Sequence, residues 1–119
     1  MSWGTHNVNT ASKDLYDEVT EKRKDLFPKQ IILFQVAASV GIQENDPEPL
    51  EGETDALIKT SADAFDPDNV LESLMVDEYP DASEKERLKQ LEEYAEGGIQ
   101  IIHDEVMKTG TFDIENYVD

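Results

Sequence analysis

The apolar positions of the chain fall into four runs with helical spacing. Leu15 and Val19 lie four apart with Tyr16 beside them, which predicts a first helix from about Ser12 to Lys24. Lys22, Arg23 and Lys24 then fall in its last turn, where positive charge suits the helix dipole. A second helix is expected from Pro28, a residue favoured in the first turn, to near Gly41. Its run from Ile31 to Val40 is apolar nearly all round, the mark of a helix at the centre of a core. A third helix reads from Asp66 as N-cap, with Pro67 in the first helical position and Asp68 near the dipole. Val70, Leu71, Leu74 and Met75 continue its apolar face to about Tyr79, Met75 as core filler, and Pro80 stops it.

The fourth helix has the clearest signature. Ser83 and Glu86 have the spacing of a capping box. The apolar stripe then runs through Leu88, Leu91, Ala95, Gly98, Ile102 and Val106. It keeps its phase across Gly97-Gly98, so one long helix to about Lys108 is expected, with Gly110 ending it. Two glycines inside a helix cost about 1 kcal/mol each relative to alanine. Close backbone packing is the compensating reason. The second and fourth helices are therefore expected to press together through Phe34, Ala37, Ala38 and Gly41 on one side and Tyr94, Ala95, Gly97, Gly98 and Ile102 on the other.

Between these runs, Gln43 to Asp55 reads as a loop, with Pro47, Pro49 and Gly52. Ala56 to Thr60 fits either a helical turn or a short strand. Residues 1–10 read as a mobile polar arm in which Trp3 is either an anchor on the core or a partner contact. Phe112, Ile114, Tyr117 and Val118 form an apolar tail that folds back on the core or meets a neighbouring subunit. The fold class that follows is all-α, or mainly α. It is a compact bundle of four to five helices in one domain over 11–119, with at most one short strand or extended segment around 56–60.

Charge changes this picture most. The 119 residues hold 28 acids against 10 bases, a formal charge of −18, and only Arg23 and Arg87 are arginines. A field of that sign repels phosphates and anionic lipid, which argues against direct nucleic-acid or membrane binding. Adaptation to high salt, a docking face for a basic partner and mimicry of a DNA phosphate array each account for it. The loop adds Glu44, Asp46, Glu48, Glu51, Glu53 and Asp55 with no base. It reads as a solvated connector or, with Trp3 and the first five of these acids, as a partner-binding surface. The absence of cysteine excludes disulfides and thiolate chemistry. With no signal-peptide pattern at Met1–His6 and no apolar run of membrane-spanning length, a cytoplasmic protein is expected.

Candidate chemistry is sparse. His6 and His103 are the two histidines. A metal site of His103 with Asp104, Glu105 and Glu96 matches no zinc spacing, and a surface or half-buried structural histidine is the preferred reading. Asp63, Asp66 and Asp68 lack the glycine and closing glutamate of a calcium loop. Gly97-Gly98 lacks the lysine and hydroxyl residue of a phosphate-binding loop. No catalytic, cofactor-binding or metal-binding set is assigned, and the chain is expected not to be an enzyme.

Two segments resemble a known family. Phe27-Pro28-Lys29-Gln30-Ile31-Ile32-Leu33-Phe34-Gln35-Val36-Ala37-Ala38-Ser39-Val40-Gly41 is followed by Glu48-Pro49-Leu50, and Leu91-Glu92-Glu93-Tyr94-Ala95-Glu96-Gly97-Gly98-Ile99-Gln100-Ile101-Ile102 comes later. The pair resembles the small accessory proteins of DNA phosphorothioation (Dnd-type) modification systems. Those carry a Phe-Ala-Ala-like helix ending in glycine, a nearby Pro-Leu and a Tyr-Ala-x-Gly-Gly stretch. Gln35-Val36 departs from that pattern at the helix centre. The resemblance implies a non-catalytic adaptor that binds a component of a DNA-modification or restriction complex in prokaryotic antiviral defence. An acidic DNA mimic that occupies the nucleic-acid site of a nuclease or DNA-binding protein is the alternative. The apolar tail and Trp3 are compatible with a homodimer.

Overall fold

The computed structural model describes residues 6–60, 65–66 and 70–112. Trp3, the tail residues Ile114, Tyr117 and Val118, and the helix-start residues Pro67 and Asp68 lie outside them, as does Asp63. The fold is mainly α. In chain order it is β1 (Asn7–Thr10), α1 (Lys13–Lys22), α2 (Gln30–Gln43), β2 (Asp55–Lys59), α3 (Val70–Glu78) and α4 (Glu84–Thr109).

Helix α2 is the centre, as its uniformly apolar sequence requires. Eight of its residues are buried, among them Phe34, Ala37, Ala38 and Gly41. It starts at Gln30 rather than Pro28, because Lys29 is extended and acts as N-cap. It also runs past Gly41 to Gln43. The left-handed residue that turns the chain is Asn45, with φ of 50°. Gly41 is thus not a helix stop; its missing side chain serves packing, described below.

Helix α4 is continuous through Gly97-Gly98. Its start carries the reciprocal capping box: the Ser83 hydroxyl accepts from the Glu86 N–H, and the Glu86 carboxylate accepts from the Ser83 N–H. Gly110 closes it in the left-handed conformation, with φ of 84°. Arg23, which follows α1, donates to the Gly110 carbonyl over 2.8 Å and pairs with Asp25. The one basic cluster thereby neutralises the end of α4 as well as that of its own helix.

Of the arm expected at the N-terminus, Asn7–Thr10 is a strand. Strand β1 pairs antiparallel with β2, Asn7 opposite Lys59 and Thr10 opposite Asp55, with a bulge after Val8. The extended alternative for residues 56–60 is therefore the correct one. The strand forms because Val8 and Thr10, alternating with polar asparagines, both reach the core. The asparagines disguised this alternation.

The Asp66 carboxylate caps α3, described from Val70, accepting from the N–H groups of Leu71 and Glu72 at 2.9 and 3.0 Å. At its other end the Tyr79 hydroxyl meets that of Tyr94 at 3.1 Å. Burial and this contact push the Tyr94 pKa up to about 12. The apolar face expected for α3 is only half covered: Leu71 and Met75 are buried, whereas Val70 and Leu74 are exposed.

Candidate partner-binding surface

The helix-packing residues converge. A side chain at Gly98 would project into the carbonyl of Ala37, and one at Gly41 into the carbonyl of Tyr94. Each helix thus brings a glycine to the other's backbone, at a separation no side chain would allow. Phe34, Ala95 and Ile102 are buried around the crossing. Gly97 points elsewhere, onto the backbone carbonyl of Asp46 at the start of the acidic loop.

That loop is pinned to both α2 and α4 along its first half. The Asp46 N–H donates to the Gly41 carbonyl, and the Glu48 N–H donates to the Glu93 carbonyl, both at 2.9 Å. Glu44, Asp46, Glu51 and Glu53 are exposed and Glu48 is half-buried. The segments quoted for the family resemblance therefore meet at one place: Ala37 and Gly41 of α2, the loop that leads into Pro49-Leu50, and Tyr94, Gly97 and Gly98 of α4.

On the next turn face of α4, Glu96 is buried among donors. Its Oε1 accepts from the Thr10 hydroxyl at 2.7 Å and the Ala11 N–H at 3.3 Å, and its Oε2 accepts from the Ser12 hydroxyl. The carboxylate ties the β1–α1 junction to α4. Ser12, which is the N-cap of α1, spends its hydroxyl on Glu96 instead of on its own helix. The sequence offers this glutamate only as a neighbour of His103; nothing there marks it as a tie to the β1–α1 junction. The nearby Tyr16 hydroxyl is buried with no hydrogen-bond partner among the described residues, and burial, then the Glu96 charge, raise its pKa well above the ordinary tyrosine value. Glu96 and Ser12 also line a cleft of about 240 Å³ beneath Glu48, Pro49 and Glu51. Its carboxylate is fully engaged by the three donors, a structural rather than a reactive arrangement.

The histidines are held apart. His6 contacts Glu84 and His103 contacts Glu18, each at 3.1 Å, so the expected neighbours of His103 are not its partners. Among the described residues, no three histidine or carboxylate side chains converge in a way that could hold a metal ion. A cleft of about 510 Å³ lies between β1 and the first turns of α4, lined by His6, Asn9, Lys85, Leu88, Lys89 and Glu92. Glu92 sits half-buried there, its carboxylate accepting from the Asn9 N–H at 2.7 Å. Burial raises its pKa above the ordinary carboxylate value; the Asn9 contact opposes this.

Charge is unevenly placed along the chain. Five of the 10 bases lie between Lys13 and Lys29. From Gln30 to Glu84 there are 14 acids and one base, Lys59. This stretch holds the acidic loop and α3, so the excess negative field belongs to that part of the molecule. No described helix is long and apolar enough to cross a membrane. The fold and surface define a mainly α-helical, acid-rich domain. No known protein family, curated protein or solved structure matches the chain.

Proposed function

We propose that the chain is a non-catalytic accessory subunit that binds a protein partner within a DNA phosphorothioation-type prokaryotic defence complex. The observation that carries this reading is the convergence of the residues behind the family resemblance. Ala37, Gly41, Tyr94, Gly97 and Gly98 lie at one backbone-to-backbone contact where glycine is sterically required. Motifs scattered through the chain by chance have no reason to meet there. The partner is a protein rather than DNA, because a charge of −18 opposes approach to a phosphate backbone. Buried Glu96, engaged by three donors, has the role of a structural tie.

The test is an affinity capture of the tagged full chain from its native host under cytoplasmic salt, with deletion of its gene alongside. Recovery of a DNA-modification or restriction component, and loss of the matching defence phenotype on deletion, is the expected result. A capture that holds no such component, with defence intact in the deletion strain, overturns the proposal.

A further inference from the structure

Helix α3 carries an apolar face about twice as wide as the fold covers. Leu71 and Met75 are buried at 4% and 1% exposure, while Val70 and Leu74, also four residues apart, are 55% and 40% exposed. Val70, Ser73, Leu74 and Asp77 fall at i, i+3, i+4 and i+7, a single strip along the outer side of the helix, and all four are exposed. Scattered exposed apolar residues are ordinary. Here three of the four large apolar side chains exposed among the described residues, Val70, Leu74 and Val76, belong to this one nine-residue helix.

A cleft lies near each end of the strip, both bordered by residues of α2. One of about 390 Å³ reaches in past Leu74 to Ile42 and Tyr94. The other, about 180 Å³, lies past Val70 beside Gln35 and Ser39. The charged side chains lining the two clefts are Asp66, Asp77 and Glu78, all acidic. A second copy of the chain would bring the same acids to the same place, and like charges facing each other oppose association. An anionic membrane is disfavoured on the same ground.

We infer that the Val70–Leu74 strip is a docking site for a helix of another protein, with apolar residues at i, i+4 spacing flanked by lysines or arginines. An exposed apolar helical strip bordered by clefts near both ends is a surface against which a second helix can pack. The apolar pair supplies buried area at the centre, and the acids at the rim set orientation and association rate. This rests on the accessory reading above and names the chemistry of the partner.

The full chain is titrated with three synthetic peptides of equal length: an amphipathic leucine–lysine helix, a serine–lysine peptide of the same charge, and a leucine–glutamate helix. Calorimetry gives affinity and amide shift mapping gives location. The leucine–lysine peptide is expected to bind with shifts centred on Val70, Leu74 and Asp77 and reaching Ile42 and Asn45. The other two are expected to bind at least about tenfold more weakly. A V70S/L74S chain is expected to lose about tenfold in affinity with an unchanged melting temperature. Equal binding of the serine–lysine peptide, shifts spread over the whole chain, or full affinity of V70S/L74S overturns the inference. So does a V70S/L74S chain that still captures a restriction or modification component from the host, an outcome that leaves the accessory reading standing. Failure of that reading shows separately, as no such component captured by the unaltered chain.

Discussion

The carbonyl oxygen of Ala37 occupies the space into which a side chain at Gly98 would project. The relationship is reciprocated one turn along, where Gly41 lies against the carbonyl of Tyr94. Contacts of this kind bring Cα hydrogens onto backbone oxygens and fix how deeply two helices interlock. Replacement by alanine would add about 1 kcal/mol of helix propensity to either helix. At these two positions the methyl group meets backbone, which moves only with its whole helix. Gly98→Ala and Gly41→Ala are each expected to lower unfolding free energy by about 1–3 kcal/mol, the usual cost of overpacking. Urea denaturation measures this; a midpoint equal to or above that of the unaltered chain would show that the helices part freely.

The pair Glu96 and Tyr16 tests polar satisfaction in opposite directions. Three donors face the Glu96 carboxylate. Glu96→Gln presents an amide N–H group to a site built of donors, so a loss of about 1–3 kcal/mol is expected from the contacts left unmade. Tyr16 has a buried hydroxyl with no partner among the described residues. Tyr16→Phe removes that group without changing the ring, and its stability is expected to equal or exceed that of the unaltered chain. A Tyr16→Phe protein less stable than Glu96→Gln would contradict both assignments.

The helical part of this architecture is legible in the chain because local signals agree with tertiary demands. Ser83 and Glu86, the stripe from Leu88 to Val106, and Gly110 specify α4 from end to end. The phase of that stripe also exposed Gly97-Gly98 as a packing feature. What was hidden depends on partners distant in sequence. Asn7 to Thr10 reads as polar until Thr10 is seen bonded to Glu96, 86 residues away. Gly41 looks like a helix end because glycine commonly is one, and only the nearby Tyr94 carbonyl explains it otherwise. Val70 and Leu74 carry the same helical period as Leu71 and Met75, and periodicity alone does not say how much of a wide apolar face the fold will cover. The candidate surface was marked by Trp3 and its acids, whose abundance hid Glu92 and the structural role of Glu96.

Glu92 gives the fold a pH dependence with a defined sign. Burial raises its folded pKa, against the opposing pull of the Asn9 N–H. The folded state therefore holds this proton more tightly than the unfolded chain. Its contribution is fully present below the unfolded carboxylate pKa and is lost as pH rises through the folded value. Glu92→Gln keeps an oxygen for Asn9 and never ionises. The variant is expected to gain stability relative to the unaltered chain between about pH 4 and pH 7. Urea midpoints of both proteins across that range measure the difference; a gap that is constant, or that closes as pH rises, would contradict the assignment.

Salt should act on the whole molecule through its net charge of −18. Few carboxylates have a basic partner: the ion pairs to lysine or arginine among the described residues are Lys13–Asp17, Arg23–Asp25 and Lys108–Asp104. Their loss on screening is small, since exposed pairs contribute about 0–1 kcal/mol each. Repulsion among the remaining acids is relieved as the Debye length falls from about 10 Å at 0.1 M to about 3 Å at 1 M salt. The balance favours the folded state, because unfolding moves like charges apart and screening removes that advantage. The melting temperature is expected to rise steeply between low salt and about 1 M sodium chloride, most of the rise falling in the range where screening changes fastest. Potassium chloride should match sodium chloride, since screening depends on ionic strength rather than on cation identity. A flat or falling melting curve against either salt would mean that the ion pairs outweigh the repulsion among the excess acids, against the expectation from net charge.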